Sequence, residues 1–269
     1  MFSFLSGYRR RVKGRLILLR PGAERGFRDR FQVAYPSVPV YWAMRNMKRT
    51  SKEKVDSTRE LTEMIQRACL VAKDAVFNVE DYIGHSSSLA YVAVKQCEKE
   101  LDDIERDIDE SLPAAITEVT ETEARQLLAC LKFITDLERI GDLMWSVAQR
   151  VQQISGRLPG QDQKYFLEMS EILRKMLEQV YEGFTKLNVE LAESVLKTDT
   201  EIDQVCHSVF RRHLHSTARR QSADSTTIML MAQAFERAGD HAKNLAEEVV
   251  HLVRGHSLRH KSKGRMRSE

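Results

Sequence analysis

The stretch LERIGD occupies residues 137–142, and FERAGD occupies residues 235–240, 98 positions further along the chain. Each stretch places a glutamate and an aspartate four residues apart: Glu138 with Asp142, and Glu236 with Asp240. Residues at that spacing share one face of an α-helix, where two like charges repel each other. Repetition of such a motif at a fixed distance is typical of a duplicated structural unit.

The similarity between the two copies continues along an apolar stripe. At the same offset of 98, apolar residues of one copy match apolar residues of the other in steps of three and four. The matched pairs include Phe133 with Met231, Leu137 with Phe235, Ile140 with Ala238, Met144 with Ala242, and Val147 with Leu245. This spacing predicts an amphipathic helix in each copy.

A second similarity lies upstream, at an offset of 94 residues. Residues 105–109 (ERDID) resemble residues 199–203 (DTEID), and each segment again has two acids four residues apart. The sequence therefore predicts two acidic pairs in each repeat, on two successive helices. Four pairs in matching places indicate a functional acidic surface or a metal site. The alternative is that these pairs lie on solvated helix faces.

Composition and periodicity indicate the fold class. The chain has only five prolines and twelve glycines in 269 residues, and no alternating strand pattern appears. These features predict an all-α fold, a tandem repeat of two three-helix bundles with six long antiparallel helices. We expect the helices near residues 51–84, 88–119, 122–155, 161–189, 190–219 and 224–254. The first repeat then covers residues 51–156, and the second covers residues 161–255.

The two ends of the chain fall outside the repeats. Residues 1–50 carry 12 lysines and arginines against 2 acids, a balance of +10, whereas the remaining residues carry 30 against 37, a balance of −7. We expect residues 1–50 to be a basic, disordered N-terminal extension, with Met44 or Met47 as an alternative start. A basic arm that binds nucleic acid or an anionic membrane is the other interpretation. Residues 256–269 are expected to form a C-terminal tail.

No run of 18 or more uncharged apolar residues occurs, so the sequence predicts no membrane-spanning helix. The four cysteines lie singly within apolar helical patterns, which favours reduced thiols in a cytoplasmic protein.

The chain resembles the PhoU family of phosphate-uptake regulators over residues 57–260. The resemblance rests on LERIGD and FERAGD, on HAKNLAEE at residues 241–248, on the Ile-Asp steps at 108–109 and 202–203, and on VRGHSLRH at residues 253–260. It implies a cytoplasmic regulator that restrains a high-affinity phosphate ABC transporter and its companion histidine kinase when phosphate is ample. Members of the family are not enzymes, so the resemblance implies no catalytic residues.

The resemblance also implies a metal site, because some members bind multinuclear iron or zinc clusters through acidic motifs of each repeat. Transferred by position, the first site uses Glu105, Asp109, Glu138 and Asp142, and the second uses Asp199, Asp203, Glu236 and Asp240. Four carboxylates from adjacent helices give an all-oxygen site that suits hard or borderline cations. Neutralisation by Arg139 and Arg237 is the alternative. Each arginine follows its glutamate by one residue, so we expect its side chain to point about a quarter-turn away.

The implied partners are the ATPase subunit of the transporter, the phosphate-sensing histidine kinase, and a second copy of the chain in a homodimer. No DNA-reading motif is present, so we expect no direct contact with nucleic acid. Contact with the membrane is expected through these partners only.

Two other kinds of protein use carboxylate-rich helical bundles. A di-iron or metal-storage bundle needs a Glu-x-x-His step on each of two helices. Only Glu248 with His251 provides that step here, since the first repeat has Arg150 and Gln153 at the matching positions. A metal-free helical adaptor, which docks its acidic faces on basic partner surfaces, is the other possibility.

Several histidines are further candidates for function. His241, next to Asp240, is either an additional metal ligand or an ordinary polar residue of the helix. His207, His213 and His215 lie near four arginines in a basic stretch, which we expect to be a solvated helix face rather than a phosphate-binding patch.

Overall fold

A computed structural model describes residues 11–12, 15–16, 57–116, 119–214 and 222–255 of the chain. Six long helices account for almost all of these residues. They are α1 (Ser57–His85), α2 (Ser88–Ala115), α3 (Glu121–Gln153), α4 (Gly160–Lys186), α5 (Val189–Leu214) and α6 (Ser222–Arg254). The six predicted helices and the all-α fold class are confirmed. The predicted limits at residues 51 and 219, and the expected tail at 256–269, lie outside the described residues.

Two very short strands are described near the N-terminus. Strands β1 (Arg11–Val12) and β2 (Arg15–Leu16) pair antiparallel, with Arg11 opposite Leu16 and Val12 opposite Arg15. The sequence does not predict this pairing, because two residues cannot show an alternating pattern. The other residues of the expected N-terminal extension lie outside the described part of the chain. The two strands belong to one compact unit, and the six helices form the other.

The ends of the helices follow from local capping residues. Ser87 precedes α2, and its Oγ accepts a hydrogen bond from the backbone N–H of Ala90 at 3.2 Å. Asn188 does the same for α5, where its side-chain oxygen accepts from the N–H groups of Glu190 at 2.9 Å and Leu191 at 3.2 Å. Such caps satisfy backbone donors that have no partner in the first turn of a helix. The starts of α2 and α5 are therefore fixed by equivalent interactions.

The helices pack as two bundles of three. Helices α1, α2 and α3 contact one another, and α4, α5 and α6 contact one another in the same way. The bundles also pack together, through α1 against α4 and α3 against α6. Their apolar side chains form one continuous core, in which the rings of Phe133 and Phe184 lie 4.6 Å apart across the junction. Within the described residues, no helix is both long and apolar enough to cross a membrane.

Polar contacts add specificity to the α3–α6 junction. The ammonium group of Lys132 donates to both carboxylate oxygens of Glu248 at 3.0 Å. His241 Nδ1 lies 2.7 Å from Asp136 Oδ1, and Asn244 donates to the same oxygen at 3.4 Å. Because these groups are partly buried, the contacts fix how the third helices of the two bundles align.

The glycine of each repeated motif lies where an added side chain would collide with the neighbouring helix. A β-carbon added to Gly141 of α3 would lie 2.5 Å from Leu101 Cδ1, on α2. One added to Gly239 of α6 would lie 2.9 Å from Ile202 Cγ2, on α5. Carbon atoms do not approach this closely without strain. The glycine in LERIGD and FERAGD therefore allows α3 to pack tightly against α2, and α6 against α5.

These contacts define which residues of α2 and α5 are equivalent. The hypothetical β-carbon of Gly141 lies 3.7 Å from Glu98 Cα, and that of Gly239 lies 3.9 Å from Asp199 Oδ1. Leu101 thus corresponds to Ile202, and Glu98 to Asp199, both at an offset of 101 rather than 94. The offset of 94 is wrong by seven residues. Seven residues are almost two full helical turns, so the incorrect alignment keeps acidic and apolar residues on matching faces.

The close packing at Gly239 predicts the effect of adding a methyl group. In Gly239→Ala we expect a loss of about 1 kcal/mol in the free energy of unfolding. The helix-propensity gain of about 1 kcal/mol is outweighed by overpacking of about 1–3 kcal/mol against Ile202, which is buried and stiff at its branched carbon. Urea denaturation followed by circular dichroism measures the change.

Gly160→Ala is the matched control, because no atom lies within 4 Å of a β-carbon at that position. We expect this variant to be within about 0.5 kcal/mol of the wild-type protein, or slightly more stable. Equal stabilisation by both substitutions would show that the helices at Gly239 have room for a side chain.

Candidate functional site

The second bundle brings its four predicted acidic residues together. Asp199 and Asp203 of α5 face Glu236 and Asp240 of α6. Partial burial raises the pKa of Glu236, and the charges of Asp240, Asp203 and Asp199 raise it further. The pKa of Asp203 is raised by burial and then by Asp199 and Asp240. These residues form a single electrostatic group, which we call the second acidic cluster.

A lysine lies inside the second acidic cluster. The ammonium group of Lys243, on α6, forms an ion pair with Oδ2 of Asp199, on α5. This hydrogen bond raises the pKa of Lys243, and the charges of Asp199, Asp240 and Asp203 add to the effect. Asp199 is only 3% exposed, and its other oxygen, Oδ1, has no hydrogen-bond partner within the described residues. The lysine therefore compensates a carboxylate that burial would otherwise destabilise.

The first bundle forms a different acidic group from the one that the sequence predicts. Carboxylate oxygens of Glu98, Asp102 and Asp142 all lie within 4.8 Å of one another. It is the one group of three potential metal ligands with this geometry in the described parts of the chain. Glu98 and Asp102, on α2, are absent from the predicted ligand set. They are the structural counterparts of Asp199 and Asp203.

Glu98 and Asp102 were missed because the alignment of α2 with α5 was shifted by seven residues. The signal that identifies them is present in the sequence. Both acids have the four-residue spacing, and the helix caps Ser87 and Asn188 are 101 positions apart. An alignment from the caps pairs Glu98 with Asp199 directly.

Glu105 and Asp109 lie seven residues beyond Glu98 and Asp102 on α2, so they are not the structural counterparts of Asp199 and Asp203. Together with Asp102 and Glu138 they line a surface cavity of about 510 Å³, to which Arg106 and Glu110 also contribute. Burial raises the pKa of Glu105, and Asp109 is the neighbouring charge that raises it most. The charge of Asp142 contributes less to the raised pKa of Glu105. Glu105 thus extends the group towards Glu138, whereas Asp109 lies at its outer end. We call Glu98, Asp102, Glu105, Glu138 and Asp142 the first acidic cluster.

Arg139 neutralises part of the first acidic cluster, contrary to the expected direction of its side chain. Its Nη1 donates to Asp142 Oδ2 at 3.0 Å, and its Nε lies 3.3 Å from Glu138 Oε2. The expectation was wrong because the long side chain curves back along its own helix towards residues one before and three after it. Arg237 is exposed and forms no ion pair within the described residues. An arginine ion pair is therefore a feature of the first cluster, whereas in the second the charge of Arg237 opposes the raised pKa of Glu236 without such a pair.

Glu138 is the most perturbed carboxyl group of the first cluster. Its residue is 8% exposed, and its Oε2 has no hydrogen-bond partner in the described ranges. Burial is the main cause that raises its pKa to about 7, and the charge of Asp142 adds to it. The charge of Arg139 opposes the shift. Burial of this acid therefore favours its neutral form.

The other candidate residues have structural partners. His241 bonds to Asp136 of the other bundle, and so is not directed at the second cluster. His213 is largely shielded from solvent, with a side chain that is 9% exposed, and its Nε2 lies 3.0 Å from Oδ1 of the fully buried Asp162. Both carboxylate oxygens of Glu248 accept from Lys132, and His251 lies 3.4 Å from Glu248. The single Glu-x-x-His step is thus engaged in packing the bundles together.

The donor atoms of both clusters fit a hard or borderline divalent cation. All are carboxylate oxygens, and Glu98 and Asp102 have no hydrogen bond or ion pair to the rest of the described chain. Each cluster also has a buried carboxylate oxygen that accepts no hydrogen bond within the described residues, on Glu138 and on Asp199. Carboxylate ligands of this kind suit Mg²⁺, Mn²⁺ or iron, and they also coordinate zinc.

Comparison with known proteins identifies the family. The model of the PhoU domain matches residues 61–151 and again residues 166–249, one match in each bundle. A phosphate-specific transport system accessory protein PhoU homolog from Pseudomonas aeruginosa is 30% identical over 207 residues, which cover 74% of this chain and 84% of that protein. A homolog of the same name from a Burkholderia species is 28% identical, with 77% and 91% of the two chains covered.

Solved structures show the same fold. The crystal structure of PhoU from Pseudomonas aeruginosa superposes with a TM-score of 0.70 and 24% identity, and covers 74% of this chain and 98% of that one. The regulatory protein PhoU from Streptococcus pneumoniae gives a TM-score of 0.67 with 17% identity, and covers 75% and 97%. These similarities support the six-helix architecture, and by themselves they say nothing about ligands.

The raised pKa of Glu138 predicts how stability depends on pH. Because the folded state favours the protonated acid, this group stabilises the protein below its ordinary pKa of 4.5, and the contribution is lost as pH rises towards about 7. In Glu138→Gln we therefore expect a Tm near that of the wild-type protein at pH 4.5 and a higher one at pH 8. Thermal unfolding in EDTA, measured across this range, tests the prediction.

Glu123→Gln is a control variant, for which the change in stability should depend on pH in the opposite direction. Hydrogen bonds from the N–H and hydroxyl groups of Thr120 lower the pKa of Glu123, so its contribution is present at neutral pH and lost on acidification. This variant should be less stable than the wild-type protein at pH 8 and similar at low pH. A Tm difference for Glu138→Gln that does not change with pH would contradict the assignment.

Proposed function

We propose that this chain, which belongs to the PhoU family, restrains a high-affinity phosphate ABC transporter and its sensor histidine kinase when phosphate is ample. Its curated relatives are named as accessory proteins of the phosphate-specific transport system, which supports regulation of phosphate transport rather than catalysis. The observation that carries the proposal is the duplicated motif, which builds an acidic cluster in each of two equivalent bundles.

The proposed mechanism is that of an adaptor. The chain would contact the ATPase subunit of the transporter and the kinase in the cytoplasm, and would reach the membrane only through these partners. It would make no direct contact with nucleic acid. A homodimer is part of the proposal. Leu70 and Phe77, one heptad apart on α1, are exposed apolar side chains at 39% and 51%, and we place the contact between copies there.

We further propose that the acidic clusters hold metal ions, with iron or zinc as the expected metals. In the first bundle Glu98, Asp102 and Asp142 would be the ligands, with Glu105 and Glu138 beside them and Asp109 at the outer end. In the second bundle Asp199, Asp203, Glu236 and Asp240 would serve. A bound cation would supply the positive charge that these carboxylates lack, and would stabilise the folded protein in proportion to its affinity.

A metal-free adaptor is the second candidate function, because Arg139 and Lys243 already compensate part of each cluster. In that case the remaining carboxylates would dock on basic surfaces of the partners. A di-iron or metal-storage bundle has less support. It needs two Glu-x-x-His steps, and the carboxylate of the single step, at Glu248, is bound by Lys132.

Deletion of the gene tests the regulatory proposal. In phosphate-replete cells without the protein we expect high alkaline phosphatase activity and high phosphate uptake, because the transporter and kinase would no longer be restrained. Reintroduction of the wild-type gene should restore low values. Unchanged activity and uptake after deletion would contradict the proposed function.

Variants of the reintroduced gene test the acidic clusters. The double variant Glu236→Ala and Asp240→Ala should fail to restore repression, because it removes half of the second cluster. The control is Glu121→Ala with Glu182→Ala, which removes two acids that only form exposed ion pairs within their own helices. Both proteins should accumulate to similar levels, and equal repression by both would show that the cluster is dispensable.

A further inference from the structure

The two acidic clusters differ in how their charge is compensated. Offset by 98 residues, Lys243 of the second bundle corresponds to Trp145 of the first. Lys243 reaches across from α6 to the buried carboxylate of Asp199 on α5. Trp145 instead packs its ring on Tyr91, with 5.1 Å between centroids, and under the ammonium group of Lys95 at 5.7 Å. No cation from α3 therefore reaches Glu98, the counterpart of Asp199.

Arg139 does not replace the missing lysine. It binds Glu138 and Asp142 on its own helix, and its side chain is 54% exposed. The carboxylates of Glu98 and Asp102, on the opposite helix, form no hydrogen bond or ion pair within the described residues. The α2 side of the first cluster thus has no cation in direct contact in the described part of the chain. Burial raises the pKa of both acids, although the charge of Lys95 lowers that of Glu98, and the charges of Arg106 and Arg139 lower that of Asp102. In the second cluster, the corresponding carboxylate of Asp199 already holds a cation.

The spacing of the carboxylate oxygens also favours metal binding at the first cluster over the second. In the first cluster three oxygens converge within 4.8 Å, and in the second cluster no such group of three is found among the described residues. An ammonium ion on Asp199 competes directly with a metal ion for the same carboxylate. The unpartnered Oδ1 of Asp199 shows that the lysine satisfies only one of its two oxygens.

We propose that Lys243 is a tethered cation that occupies the second acidic cluster, so that a divalent metal ion binds preferentially at the first cluster, on Glu98, Asp102 and Asp142. This inference rests on the proposed metal binding and adds which cluster binds and which residue decides it. The lysine is a specificity-determining residue. Its ammonium group competes with a metal ion for Asp199, so the second cluster binds metal only when this ion pair is broken.

Binding of Mn²⁺ to the full-length, chelator-stripped protein tests the proposal by calorimetry and by the metal retained after dialysis. The wild-type protein should bind at the first cluster, and Asp102→Asn should weaken that binding by about tenfold or more. Lys243→Met should add metal bound at the second cluster. This added binding should persist when Asp102→Asn is also present, because the two clusters are separate.

Three further variants serve as two controls and one reciprocal test. Lys243→Arg keeps the positive charge and should bind as the wild-type protein does. Lys186→Met removes a lysine from an exposed ion pair with Glu182, and should change neither stoichiometry nor affinity. The reciprocal variant Trp145→Lys introduces a lysine into the first bundle and should weaken Mn²⁺ binding there. It keeps the proposal testable even if the buried charge of Asp199 prevents Lys243→Met from folding.

The outcomes distinguish this inference from the proposed function. If the wild-type protein binds Mn²⁺ and neither Lys243→Met nor Trp145→Lys changes the binding, the role of Lys243 is wrong, while metal binding stands. If no variant binds Mn²⁺, both the inference and the proposed metal sites are wrong. Regulation of phosphate uptake is measured independently in cells and is affected by neither result.

Discussion

The close contact of helices at Gly141 and Gly239 is the constraint on which the rest of the structure depends. Without a side chain at these positions, α3 can approach α2, and α6 can approach α5, closely enough for acids on both helices to meet. The apolar stripe behind each glycine holds this approach, since Leu137, Ile140 and Met144 are fully buried. Hydrophobic burial thus forces like charges together, and the raised pKa values of the acids show its electrostatic cost.

The sequence predicts the helices well because their apolar periodicity is long and their breaks are marked by capping residues. It also identifies both halves of the repeated motif, because Glu138–Asp142 and Glu236–Asp240 are separated by a constant offset. It fails for α2, where a shift of seven residues returns to nearly the same face and leaves the hydrophobic pattern unchanged. Tertiary contact at Gly141, which no one-dimensional pattern contains, decides between the two alignments.

Side-chain direction was the other limit of prediction. A position one residue after an acid indicates where the Cα–Cβ bond of Arg139 points, but not where a long flexible side chain ends. For His241, the determining partner is Asp136 on the other bundle, 105 positions away in sequence. Both cases depend on neighbours that the fold supplies. A sequence without aligned relatives cannot specify these neighbours at the resolution of a single side chain.

The two bundles therefore share one fold but compensate the negative charge of their acidic clusters differently. In the second bundle, an ion pair between Lys243 and Asp199 ties α6 to α5. In the first bundle, Arg139 forms its ion pairs within α3. At the position that matches Lys243, Trp145 of α3 instead packs against Tyr91 of α2. A cross-helix ion pair responds to any change of charge in its cluster, whereas an aromatic contact does not. The bundles are thus equivalent in fold and unequal in how a bound charge would affect them.

The junction of α3 with α6 places these unequal clusters on helices that contact each other directly. The pair of Asp136 with His241 joins these two helices, two residues before Glu138 on α3 and one residue after Asp240 on α6. A shift of α6 that follows a change of charge at Asp240 must therefore either carry α3 with it or break this pair. Any free-energy coupling between the clusters through this pair would be equal in both directions, so a change of charge at Glu138 would affect the second cluster as well. Two clusters coupled through this pair would respond as one unit, as the adaptor proposed above would require.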